Sequence, residues 1–593
     1  MTGVTARAGL MRPGRHTCTS QVRGPSGRHS TTGGNVTDGG HATRHGKGRH
    51  PRRRRLTRTV AAVGAVAMAA AALVGIGAGT AGARTTAAAS GPKPGGEVRF
   101  GLEAETTGGY CLNQAQLAIS GIQVVAAIYD TLTVPNAKGQ YVPYLAKSVT
   151  PNADFTQWTI ALRPNIKFQD GEPLDANAVK QNLDAYKAGR LFAFVFSNVA
   201  GTSVVDPLTV QVTMKKPWPA YPAYLYSTGR LGIMAPAQMN NQATCATNMI
   251  GTGPFKLVDW KQNESLTVEK NPDYWQKDAK GNQLPYLNRI TFVPVVDPSA
   301  RDNQLEGGQL DLEHTSTALS IDKLQQLGSS QISILRDKTG TRDERYYMLN
   351  VAKAPFDDFS ARQAVAYAID RQEMNQIRNK NMFTIASGIY DKGATGYVKN
   401  SGYPNFNLKK ATALATQYKA AHGGQFNVTI LSLPDPDDSA EAQLIQQMLS
   451  KAGITANISA IEQSAEINDA LAGNFNLLLW RNIHSDPQYT DSASYVWFYT
   501  GSPVNFGKFN DTQFQSLLDQ GRAAATPEAQ VAAYTQLNKL MSKQLYDLPM
   551  WFVDWVIASK PNVKGLLGPP LPDNGGKARF YYGRIPVLGL YKS

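Results

Sequence analysis

"FNVTILSLPDPDDSAEAQLIQQMLSKAGITANISAIEQSAEINDALAGNFNLLLW", Phe426 to Trp480, alternates two hydrophobic periods in strict succession. "FNVTILSL" has the period of a strand. "SAEAQLIQQMLSKAG" then puts Leu444, Ile445, Met448 and Leu449 on one helical face, with Gly453 as its cap. "ITANISAI" returns to a strand, "SAEINDALAG" is a short helix, and "FNLLLW" is a third strand. This order requires parallel strands joined by right-handed crossovers. The unbroken apolar run Leu477 to Trp480 is that of a strand covered on both faces. The fold class is therefore α/β. Ligands of open parallel sheets bind beyond the carboxyl ends of the strands, which places Pro434 to Asp438 and Arg481 to Asp486 on one rim. A polar loop leaving a buried strand is the plainer reading of the same residues.

Outward from this segment, "SARQAVAYAIDRQEM" reads as a helix that can start at Ser360, burying Ala364, Val365, Ala368 and Ile369. Toward the N-terminus, "DFTQWTIALRP" and "LTVQVTMKKP" are strands flanking a helix, "LDANAVKQNLDAY", for which Asp175 is the N-cap. "EVRFGLE" is the first strand, after the linker "TTAAASGPKPGG".

A length of 593 residues suggests several domains, and a net charge of +15 invites a nucleic-acid reading. The distribution of charge rejects it. Residues 1–90 hold 14 of the 60 Lys and Arg but only one of the 45 acids, Asp38, so the rest of the chain is near neutral. That leader has "RRRRLTR" from Arg52, an apolar run from Val60 to Gly79 and small residues ending at Ala83, the pattern of an export signal. An uncleaved anchor and the twin-arginine route remain open, and no acylatable Cys follows the run. The expected location is extracytoplasmic, periplasmic or associated with the cell surface.

Enzyme signatures are sparse: the chain contains no HExxH, CxxC, Gly-rich phosphate loop or GxSxG, and five of its eight histidines lie in the leader. His314, His422 and His484 remain. No catalysis, metal centre or cofactor is expected, and acid pairs such as Asp357-Asp358 and Asp437-Asp438 read as solvated turns. Cys111 and Cys245 make one candidate disulfide in an exported chain, the alternative being two buried thiols. Aromatics cluster in "KPWPAYPAYLY", "SASYVWFYTG" and "LPMWFVDWV". Most serve packing, and a minority, Trp497 among them, are candidates to sheathe a ligand.

"YDTLTVPNAKGQYVPYLAKSVTPNADFTQWTIALRPNIKFQDGEPLDANAVKQNL" resembles the signature stretch of family 5 extracellular solute-binding proteins, the oligopeptide, dipeptide and nickel-binding receptors of ABC importers. "GTGPFKLVDWKQNESLTVEKNPDYW", "APFDDFSARQAVAYAIDRQEM" and "SDPQYTDSASYVWFYTGSPVNFGKFND" resemble further blocks in that family's order. The resemblance implies a two-lobe periplasmic-binding-protein fold, type II-like (cluster C), with an extra β-rich subdomain. Mapped onto this chain, residues 1–83 are leader and signal, 84–94 linker, 95–135 the start of lobe I, and 136–229 the subdomain. Lobe I resumes over 230–345, lobe II spans 346–554, and 555–593 return to lobe I. The implied partners are a peptide or peptide-like solute and the membrane permease, with no nucleic acid and a monomeric state; the alternatives are a receptor for a nickel chelate or other small solute, or a surface sensor or peptide-presenting protein on the same fold.

In the family's peptide receptors the Trp that ends the third strand is followed three residues later by an Asp holding the peptide's ammonium group. Trp480 and the Asp486-Pro487 pair match that pattern, but Ile483 stands where the acid is expected. An apolar residue cannot offset the desolvation of an ammonium group. Arg481 becomes a candidate for a ligand carboxylate and His484 for a polar or metal contact. By the same mapping, a Cys111–Cys245 bridge would fix a loop at the cleft mouth, making the neighbouring Tyr110 a contact candidate.

Overall fold

The computed structural model describes residues 91–106, 108–189, 193–337, 342–482 and 490–593. Within Phe426–Trp480 the alternation folds as predicted: strand Asn427–Ser432, helix Pro436–Lys451, strand Thr455–Ala460, helix Gln463–Ala472 and strand Leu477–Asn482. All pairing among these strands is parallel, with Asn427–Ser432 between the other two. The first helix starts earlier than its periodicity suggests. Asp435 accepts hydrogen bonds from the backbone N–H groups of Asp437 and Asp438, and Pro436 opens the helix, so Asp437 and Asp438 occupy its first turn.

Beyond Leu477–Asn482 the sheet turns antiparallel, through Asp343–Leu349 and Asp547–Val553 to Thr384–Ile385, giving six strands in all. The second sheet has seven strands and centres on Glu97–Leu102, which pairs in parallel with Arg289–Pro294 and Leu312–Thr315. The chain leaves this sheet after Ser333–Arg336 to enter Asp343–Leu349, and returns from Asp547–Val553 into Val556–Ser559. The fold is thus a two-lobe one with two crossings. At the crossings Arg342 donates to Asp391 at 2.8 Å and to Asp554 at 3.0 Å, and Arg336 also pairs with Asp554. Salt-bridged guanidinium forks of this kind fix direction as well as distance.

A separate four-stranded antiparallel sheet packs the helix Ala176–Ala188, whose N-cap Asp175 accepts from the Ala178 N–H at 2.8 Å. The expected single helix from Ser360 is two helices, Phe359–Ala368 and Arg371–Asn379. Asp370 breaks it: its carboxylate accepts from the N–H groups of Gln372 and Glu373 and so caps a new helix, leaving Ile369 extended. Asp358, read as part of a solvated turn, caps the first of the pair by accepting from the Ser360 N–H at 2.6 Å. Among the described residues no helix is long and apolar enough to cross a membrane. The leader lies outside the described residues.

Cys111 and Cys245 form the expected disulfide, closing a loop of 134 residues. Loops of that length gain the most from closure, because the cross-link removes entropy chiefly from the unfolded chain. The C111S/C245S double variant should lose about 2–5 kcal/mol of unfolding free energy, read from its urea midpoint against the oxidised parent.

Candidate functional site

Between the two large sheets lies a cavity of about 530 Å³. Both sheets deliver to it the residues at the carboxyl ends of parallel strands. Glu103 follows Glu97–Leu102, Asp435 follows Asn427–Ser432, and Trp480, Arg481 and Asn482 end the strand Leu477–Asn482. Trp497, on the helix Asp491–Phe498, stands beside Trp480 with ring centroids 6.2 Å apart, and Phe506 meets both rings edge-on.

Arg481 spans the cleft. It donates to the Glu103 carboxylate at 2.7 Å and to the Ser316 hydroxyl, and its guanidinium lies 4.5 Å from the Trp555 ring centroid. Burial pushes the Glu103 carboxyl up, but Arg481, His314 and Arg301 together pull it below the usual range. His314 is fully buried, and burial lowers its pKa to about 4. The neutral ring accepts the Glu103 backbone N–H at Nε2, 3.1 Å away, and faces the Gly583 carbonyl through Nδ1 at 3.3 Å. The guanidinium expected to meet a ligand carboxylate is therefore paired with a carboxylate of the protein itself. Arg230, also lining the cavity, has no such partner: it donates to the Leu117 carbonyl and to Thr228. Burial, with Arg584 nearby, pulls its guanidinium down to about 10.

The carboxylate side of the cleft is organised around Arg345. Its guanidinium meets Asp438 at 2.7 Å and Glu441 at 3.2 Å, and the Tyr347 hydroxyl donates to Glu441 at 2.5 Å. Asp437 pairs with Arg378 at 2.5 Å and accepts from Thr317 at 2.7 Å. Far from forming a solvated turn, Asp437 and Asp438 are both held by guanidiniums. Asp435 and Glu466, on the same side, lack a cation among the described residues. Burial and the adjacent Asp438 push Asp435 up to about 6, and Glu466, on the helix Gln463–Ala472, is pushed up to about 9 by burial and by Asp438.

Of the residues expected at the site, Trp480, Arg481 and Trp497 share one wall. Tyr110 does not join them. It is buried against Trp260 at 5.1 Å, behind the lining residue Glu105, to which the Trp260 indole donates at 3.3 Å. The disulfide next to Tyr110 anchors this packing: Gln238 bonds the carbonyls of both Tyr110 and Cys245. Ile483, His484 and Asp486 lie outside the described residues. Sequence reasoning missed Glu103, Arg230, Arg345 and Glu466. For Glu466 a signal exists, since it shares the apolar face of its helix with Ala470, one turn on. Among the described residues no three His, Cys, Asp or Glu side chains converge as a metal ion would require.

The family described as bacterial extracellular solute-binding proteins, family 5, matches residues 140–506. The glutathione-binding protein GsiB of Salmonella paratyphi A is 27% identical over 451 residues, which cover 73% of this chain and 84% of that protein. Among solved structures, the binding protein AgaA of A. tumefaciens R10, in complex with agropinic acid, superposes with a TM-score of 0.74 at 25% identity, covering 84% of this chain and 99% of that one. The ABC transporter-associated periplasmic binding protein DppA of Helicobacter pylori, in complex with a peptide, shares the fold at a TM-score of 0.72 and 20% identity, covering 84% and 98%.

The raised Glu466 carboxyl makes the stability of the empty protein depend on pH with a definite sign. Above its unfolded value, near 4.5, the unfolded chain carries the ionised form, while the folded chain keeps the proton up to about 9. The unfolded state then binds fewer protons, so stability falls as pH rises through this window. His314 acts in the opposite sense only below the ordinary histidine value of 6.5. Between about pH 6.5 and 9 Glu466 contributes a loss of about 1 kcal/mol per pH unit, so in urea titrations the slope of Glu466→Gln should be shallower than that of the wild type by that amount, the other raised carboxyls, Asp130 among them, keeping the remainder.

Proposed function

The chain belongs to the bacterial extracellular solute-binding proteins of family 5, and we propose that it is the extracytoplasmic binding subunit of an ABC importer for a peptide or peptide-like solute. The observation that carries this reading is a cavity between two sheets, rimmed by the carboxyl ends of parallel strands and bridged by Arg481 and Glu103. The solutes named for its relatives, glutathione, a peptide and agropinic acid, are polar organic molecules. A volume of about 530 Å³ suits a ligand of that size. Trp480 and Trp497 give it an apolar wall, and Arg230 supplies a guanidinium free to meet a carboxylate.

The mechanism is capture by closure, with no bond made or broken in this subunit. A solute that touches both lobes binds the closed form better than the open one, and only that difference shifts the population. Arg481 with Glu103 and Ser316 forms a contact available only when the lobes meet. The solute reinforces it, and the permease would recognise the closed surface that results.

On this reading the intact protein shows saturable tryptophan fluorescence changes with glutathione or short peptides, and its radius of gyration decreases on binding in solution scattering. Deleting the gene abolishes uptake of the same solute. Arg481→Ala should weaken affinity about tenfold, some 1.4 kcal/mol, with the solute's stoichiometry unchanged. Uptake that persists in the deletion strain, with no solute-dependent compaction, would sink the importer assignment.

A further inference from the structure

The cavity is lined by nine carboxylates and only five guanidiniums. Four of the nine carboxylates pair closely with these guanidiniums. Arg345 serves both Asp438 and Glu441, Arg378 serves Asp437, and Arg481 serves Glu103. Of the other five, Asp343 meets Arg481 only at 4.0 Å, and Glu105, Asp435, Glu462 and Glu466 pair with no cation among the described residues; of these four Glu466 alone is buried. Glu466 is 2% exposed, and its Oε1 has no hydrogen-bond partner. A buried, unpartnered carboxyl oxygen costs free energy in the empty protein that a surface position would not. A site that retains one has room for a group that arrives with the ligand.

The surroundings define that group. The charged side chains facing Glu466 are Asp438 and Asp435, from the start of the helix Pro436–Lys451, and Arg345, from the strand Asp343–Leu349. Arg345 is already bonded to two other carboxylates, so the local balance is negative. The cavity that Glu466 lines is also lined by Trp480 and Trp497, against whose cluster Ala470 of the same helix packs, an aromatic surface able to sheathe an organic cation. The absence of three converging donor side chains among the described residues argues against a bare metal ion.

We propose that Glu466, with Asp435 beside it, is the receptor for a protonated amine of the bound solute, so that the substrates are peptides or peptide-like molecules bearing a free ammonium group. This assignment rests on the solute-binding reading above. Burial and Asp438 favour the protonated carboxyl before the solute arrives; the ammonium displaces that proton and leaves an ion pair within the cavity that the tryptophans also line. Binding near neutral pH therefore releases about one proton per solute.

The test is affinity selection on the intact protein with a mixture of short synthetic peptides, and with the same mixture after exhaustive N-acetylation. Retained species are identified by mass spectrometry. Titration calorimetry of a retained peptide in buffers of different ionisation enthalpy then counts protons. Free-amine peptides should be retained and their acetylated forms lost. Glu466→Gln should weaken binding about ten- to hundredfold and abolish the proton release. Gln is isosteric with the neutral acid, and the acetylation and proton counts on the wild type decide the matter even if that variant misfolds. Equal retention of acetylated peptides overturns the ammonium receptor and leaves the importer reading intact. Capture of putrescine but no peptide, lost in Glu466→Gln, keeps the receptor and overturns the peptide reading. Retention of neither overturns both.

Discussion

A carboxylate taken out of water must find a cation, a set of donors or a proton, and that constraint organises the cleft of this protein. An isolated buried charge costs several kcal/mol even after relaxation, more than the few kcal/mol by which a domain is stable can readily carry twice over. The structure meets the constraint in three ways. Arg345, Arg378 and Arg481 supply cations to four of the lining carboxylates. Asp435 receives two backbone N–H groups at a helix start. Glu466 has neither and holds its proton.

The same constraint separates the contacts that persist from the contacts that can exchange. At the crossings Arg342 is held by Asp391 and Asp554, carboxylates that are 1% and 5% exposed, so breaking those pairs would strand buried charge. The Arg481–Glu103 pair is more accessible and joins the carboxyl ends of strands from the two sheets. Water can replace each partner when the lobes part, and a partly accessible pair of this kind is the less costly one to break. A weak contact at the lip and a strong one at the crossings is the arrangement a hinge needs.

Much of the fold was legible in the sequence because it depends on local chemistry and period. The β-α-β-α-β segment, the Asp175 cap and the disulfide all came through intact. Where the reading failed, a side chain had overridden the period: Asp370 splits one apolar stripe into two helices. The site was less legible. Trp480, Arg481 and Trp497 follow from strand ends and aromatic loops, but the partner of Arg481 lies 378 residues away, beyond the reach of any local pattern. Tyr110 was misplaced because a disulfide near the first strand says which loops are tied and nothing about which way their rings face. Glu466 sits in a short helix where a glutamate ordinarily meets solvent, and only the packing of that helix buries it.

The second contact between the lobes shows why closure is more than a fit of shapes. Asp491 is fully buried and pairs with Arg522 at 3.2 Å, within the lobe that carries the six-stranded sheet. The Trp218 indole donates to the same carboxylate at 3.3 Å, and the Tyr224 hydroxyl donates to the Asp491 carbonyl at 2.8 Å, both from the segment after the four-stranded sheet. Arg522 also lies over Trp218, 4.8 Å from the ring centroid. Opening would leave the ion pair whole but remove its Trp218 cover, the indole donor to its carboxylate and the Tyr224 hydroxyl that accepts from Arg522 at 2.9 Å. The pair is then rewetted at modest cost, whereas an unpaired Asp491 would resist closure outright. By keeping both charges on one lobe and only neutral donors on the other, the protein gains a buried polar contact on closing without having to desolvate a lone charge. Glu103 and Arg481 divide their charges between the lobes, at the more accessible lip. The placement of charge thus follows burial: shared across the gap where water can return, confined to one side where it cannot.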